Sequence, residues 1–136
     1  MLTQEKQNKI NTLQAVLAPS NFYLLNNDEW ETLVDHIEVH KYFVNEKIAW
    51  TISWEDALFS WYENVFMPIM HIISHRQVQK AFPDKTVGQI FIDISNHWYY
   101  KLEKDEKVSY LDAAYDYLSR YGKGLSKVLA LLSLPV

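Results

Sequence analysis

The residues of this chain best suited to chemistry are its five histidines, four of which form two pairs, His36/His40 and His71/His75. Spacing of i, i+4 puts both imidazoles of a pair on one side of a helix. Two such pairs on facing helices would supply four nitrogen ligands for Zn, Fe, Cu or Ni. Both pairs fall at the edge of an apolar stripe, where a half-buried site would form. His97 has a similar edge position, and Asp93 stands one turn before it, where a carboxylate would fix the imidazole tautomer. The bland alternative is that edge histidines are partly buried and bond one nitrogen to a neighbour. The pattern has neither the glutamate of HExxH nor the repeated ExxH of di-iron bundles. Packing is therefore the stronger reading of the histidines, and no cofactor is expected.

Aromatic residues form a second constellation: Trp54, Trp61, Tyr62 and Phe66, then Trp98 to Tyr100, then Tyr110, Tyr115, Tyr117 and Tyr121. Stacking on bases or on a ring-shaped ligand is the functional reading, and core packing the structural one. The tryptophans fall on expected buried faces. Tyr62, Tyr99 and Tyr100 do not, which makes them better candidates for a pocket or partner surface. Acids come third. Glu38 lies between His36 and His40, and Glu55, Asp56 and Glu63 lie on one helix. A carboxylate and a His in one pocket can do acid–base work, but a solvated helix face explains these acids more simply.

A fourth feature is the C-terminal stretch from Leu125, apolar on more than one face and preceded by Gly122-Lys123-Gly124. Leu125, Val128, Leu129 and Leu132 are its candidate partner-binding residues. The stretch would dock on its own bundle, join a dimer, or enter a groove of another protein. It is too short to span a membrane.

Other chemistries leave no trace. The sequence has no Gly-rich phosphate loop, dinucleotide fingerprint, nucleophile elbow or kinase signature. With no Cys, thiol catalysis and Cys-ligated metals are excluded. The net charge of −4 and the presence of only two Arg, Arg76 and Arg120, argue against direct nucleic-acid binding. No apolar run reaches the roughly 18 residues of a membrane span. The polar start, Met1 to Lys9, does not read as a signal peptide. The cytoplasm is the expected address.

These residues need elements to position them. The 136 residues are 49% hydrophobic and 15% aromatic, ample for a core, and three Gly and four Pro favour long helices over short strands. Capping boxes are legible at Ser53–Asp56, Thr86–Gln89 and Ser109–Asp112, and Asn27 followed by two acids reads as an N-cap. Helices are expected over 3–17, 28–44, 54–80, 87–104 and 110–121, with a short final helix over 125–134. Pro68 lacks a backbone donor and is expected to kink or split the third helix. Trp30, Leu33, Val34, Ile37 and Val44 share one face, as do Trp54, Leu58, Trp61, Val65, Ile69 and Ile72. Val87, Ile90, Phe91, Ile94, Trp98 and Leu102 form a third stripe. The expected fold is all-α, a compact bundle-like domain of five to six helices. It reads as one domain over 1–136, with an N-terminal helix (1–20), a core module (27–121) and an apolar arm (122–136).

The stretch from Trp30 to Tyr121 resembles an uncharacterised bacterial helical module found beside ParB-like and transcription-regulator-type domains. The resemblance is carried by His36-Ile-Glu-Val-His40, Ile52-Ser-Trp-Glu-Asp-Ala57, Ser60-Trp-Tyr-Glu-Asn-Val-Phe-Met-Pro68, Phe82-Pro-Asp-Lys-Thr86 and Asn96-His-Trp-Tyr-Tyr100. It implies a regulatory or protein-contact role and no particular reaction. Its pattern includes His36, His40 and His97, with Trp61 and Tyr62 nearby, and not His71 or His75. The sequence is thus expected to encode a non-enzymatic interaction module acting through a protein partner or a homodimer. The alternatives are a His-centred metal or small-ligand site with hydrolase-type activity, and a nucleic-acid-associated regulator.

Overall fold

The computed structural model describes residues 3–105 and 107–134. The first two residues of the 1–20 segment and the last two of the 122–136 arm lie outside the described residues. Every regular element described is helical, and no strand occurs among the described residues. The apolar stretch Ile48–Ser53, flanked by helices, is irregular.

Local chemistry sets most helix starts. Helix α1, Gln4–Leu17, begins where Thr3 accepts from the Lys6 amide, and a 3₁₀ turn over Ala18–Ser20 with Asn21 at φ 54° ends it. Helix α2 covers Asn27–Lys47, and its cap is Asn26, whose side chain accepts from the Glu29 amide. The cap therefore lies one residue before the expected Asn27, because Asn26 has the extended backbone a cap requires. Helix α3, Trp54–Trp61, starts at Ser53, which accepts from the Asp56 amide.

The expected long third helix is divided. A π-helical turn, Tyr62–Phe66, follows α3, then α4 covers Met67–Ile73 and α5 covers Arg76–Ala81. Pro68 sits in the first turn of α4, where its missing donor costs little. What the structure shows at Pro68 is a change of winding; the kink expected there is not confirmed. The helical segments accordingly exceed the five to six expected. Helices α6, Val87–Leu102, and α7, Tyr110–Tyr121, each open on a complete capping box, from Thr86/Gln89 and Ser109/Asp112. Helix α8 covers Gly124–Ser133.

Contacts divide the chain into two compact units, residues 1–64 and 65–136. In the first, α2 packs on both α1 and α3. Its core holds Ile10, Leu13, Leu17, Leu33, Ile37, Leu58 and Trp61. Lys9 of α1 reaches Glu38 of α2 at 2.6 Å and also lies 5.6 Å from the Trp54 ring centre. In the second unit α6 packs on α4 and α7, and α8 packs on α5 and α7. Phe66, Ile69, Ile73, Ile90 and Phe91 are fully buried there, with Phe66 and Phe91 ring centres 5.2 Å apart. Among the described residues no helix is long and apolar enough to cross a membrane.

Candidate functional site

The candidate residues separate between the units. His36, His40, Trp61 and Tyr62 belong to the first, and His71, His75, Asp93, His97 and the C-terminal leucines to the second. Among the described residues, no group of three or more His, Asp or Glu is placed to hold a metal ion.

In the first unit the two histidines are held back from solvent on α2. His36 is buried on α2, and burial pushes its pKa down to about 4, against a smaller opposing pull from Asp35. His40 lies one turn on, with Nε2 2.9 Å from the Ser60 hydroxyl of α3. Its pKa is also lowered, by burial first and by Lys47 second. Burial therefore favours the neutral imidazole at both positions. Glu38 between them is engaged with Lys9. Trp61 is fully buried in the same unit and Tyr62 is half-buried.

In the second unit His71 and His75 are exposed, with ring centres 6.0 Å apart. They do not share one helix, because the chain breaks at Ser74 and His75 caps α5. His97 is in a different setting. Its Nε2 lies 2.6 Å from Asp116 Oδ2, across from α6 to α7. Arg120 Nε, one turn on, donates to the same oxygen at 2.9 Å, and Lys101 Nζ lies 3.3 Å from it. Partial burial would raise the Asp116 carboxyl, but the hydrogen bonds from His97, Arg120 and Lys101 outweigh it and hold the pKa at about 2. An ionised carboxylate only accepts, so the bonded hydrogen is on His97 Nε2.

The carboxylate that fixes the His97 tautomer is thus Asp116, not Asp93. Asp93 instead accepts from the Tyr117 hydroxyl at 2.9 Å and pairs with Lys85. Burial, then the bond to Asp93, pushes the Tyr117 phenol up. Tyr117 stacks on Phe82 with ring centres 5.1 Å apart and also meets Tyr121 at 5.1 Å.

These groups line a cavity of about 970 Å³ on α6, α7, the 82–85 loop and the link at Lys123. The link is tied down, since the Lys123 amide donates to the Ala81 carbonyl at 3.0 Å. Sequence reasoning reached His97, Asp93 and Tyr100 of this lining and missed Asp116, Arg120, Lys101 and Lys85. The usable signal was two complementary i, i+4 pairs, His97/Lys101 and Asp116/Arg120, on successive helices joined by a short link. The lining offers cations, a His–Asp pair and phenol rings, with no Ser, Thr or Cys. Binding and proton exchange are within the means of these groups.

The last candidate surface is α8. Ala130 and Leu134 are buried, while Leu125, Val128, Leu129 and Leu132 are 41% to 77% exposed. Their spacing of i, i+3, i+4 and i+7 places all four on one side of the helix.

No family model matches the chain, and neither a curated protein nor a solved structure does.

Proposed function

We propose that this chain is a non-enzymatic helical interaction module whose contact face is the outer stripe of α8. The observation that carries the proposal is that Leu125, Val128, Leu129 and Leu132 form one exposed apolar stripe on a docked helix. A single exposed leucine needs no explanation, but a contiguous stripe is characteristic of an association surface. The spacing suits an apolar helix laid alongside, as in helix-in-groove and coiled-coil contacts. The occupant is the same stripe of a second copy or an amphipathic helix of a protein partner. The resemblance to helical modules found beside DNA-associated domains favours a regulatory role for such a contact.

Light scattering behind size exclusion tests the self-association form. The wild type is expected to gain mass as concentration rises, and Leu125→Glu/Leu132→Glu is expected to stay monomeric with unchanged helicity. Capture of partners on wild-type protein and on the double variant tests the other form. A wild type that stays monomeric and binds nothing the variant does not also bind would sink the proposal.

A further inference from the structure

The cavity of the second unit carries an inference independent of α8. Five cations, Lys85, Lys101, Lys104, Arg120 and Lys123, line it against three carboxylates, Asp84, Asp93 and Asp116. Counting Lys, Arg and Asp alone, the lining therefore carries two more positive than negative charges, in a chain whose net charge is −4. A network that served packing alone would be expected to match its charges. Here each carboxylate already has a cation within 4.0 Å, and capacity is left over. Arg120 meets Asp116 through Nε, and among the described residues its two terminal nitrogens have no acceptor. Lys104 has no carboxylate partner among the described residues and donates to the Tyr100 hydroxyl at 2.7 Å. Both cations line the same cavity and both act on Tyr100, and a guanidinium fork with an ammonium is a good match for the oxygens of a phosphate.

The walls supply the second half of the recognition. Tyr100 and Tyr121 are each 55% exposed, so their rings have surface left to cover. Tyr117, stacked on Phe82 and bonded to Asp93, provides a fixed floor. Phenol rings beside a cationic groove stack planar bases. A volume of about 970 Å³ is at the upper end of small-ligand clefts and accommodates a ring, a sugar and a phosphate. A phosphate monoester carries nearly two negative charges at neutral pH, which matches the local excess.

We propose that this cavity binds a nucleoside monophosphate, with the phosphate on Arg120 and Lys104 and the base against Tyr100 and Tyr121. Calorimetric titration of the full chain with adenosine and cytidine 5′-monophosphates tests it, with adenosine, inorganic phosphate and a single-stranded oligonucleotide alongside. At least one monophosphate is expected to bind saturably below millimolar concentration, and at least tenfold tighter than adenosine or phosphate alone. Arg120→Gln and Lys104→Gln, both at surface positions, are each expected to weaken that binding about tenfold; Lys104→Gln is expected to leave the melting temperature unchanged, while Arg120→Gln, which also gives up the bond to Asp116, is expected to lower it slightly without unfolding the protein. Leu125→Glu/Leu132→Glu is expected to leave it intact, so this proposal and the α8 contact fail separately. The proposal is overturned by no saturable binding of either monophosphate, by phosphate binding as tightly as the nucleotide, or by indifference to both substitutions. Oligonucleotide binding more than tenfold tighter than the monophosphate would overturn it in favour of a nucleic-acid surface.

Discussion

His36 in the first unit and His97 in the second are the same residue type at the same kind of position, the edge of an apolar helix stripe. Their environments are opposite. His36 is buried, and burial depresses its pKa to about 4 against a smaller opposing pull from Asp35. His97 meets an ionised carboxylate that Arg120 and Lys101 also hold. The difference arises from what the neighbouring helix presents. Helix α2 packs on α1 and α3 largely through Ile, Leu and Trp, whereas α6 and α7 close over a partly open polar cavity. What an edge histidine meets is therefore set by the helix that faces it.

The largest test of this contrast is acid stability. The unfolded state protonates His36 near 6.5, while the folded state resists until about 4. Stability is therefore full above pH 6.5 and falls as pH drops through that window, by roughly 2–3 kcal/mol near pH 4.5. His40 shifts in the same direction and adds to the fall. Urea unfolding at pH 7 and 4.5 measures it, and His36→Leu is expected to flatten the slope. A slope unchanged in His36→Leu would mean that His36 is not the buried neutral group described here.

A smaller effect, in a lower pH window, is expected from the second unit. The Asp116 carboxyl is depressed to about 2 from 3.8, so its contribution is complete above pH 4 and is lost as pH falls towards 2. Asp116→Asn leaves His97, Arg120 and Lys101 without their shared anion and is expected to cost about 1–2 kcal/mol at pH 7. The ring-proton NMR shifts of His97 should move in that variant, while those of His36 stay in place. Movement of both would erase the contrast between the two histidines.

The smallest effect sharpens the comparison from the outside. Leu132→Lys, on the exposed side of α8, is expected to change stability by no more than about 0.5 kcal/mol. Its effect should appear in association instead. A loss of several kcal/mol on thermal or urea unfolding would show that the stripe is packed in solution.

Much of the local structure was legible because it depends on groups a few residues apart. Thr86 with Gln89 and Ser109 with Asp112 cap α6 and α7 as their spacing implies. The stripes of α2 and α6 are buried on the side their periodicity marks, from Trp30 to Ile37 and from Ile90 to Ile94. The apolar stripe of the third helix runs on without interruption, and Pro68 is the one position where the sequence marks a kink or split. Stripes report burial, and they are silent about a π turn at Tyr62–Phe66 or a break at Ser74, where the chain rewinds without losing its buried face.

Sequence by itself determined the helical class, the capping boxes of α6 and α7 and the apolar faces, because each depends on interactions within one or two turns. It also marked Leu125, Val128, Leu129 and Leu132 as a stripe, though not which side of α8 would stay outside. Only the tertiary structure decided that His97 meets Asp116, 19 residues away, and that Asp93 meets Tyr117, 24 residues away. Which side chains meet across two helices depends on how those helices are rotated against each other. That rotation follows from how the whole core packs, which no local pattern records.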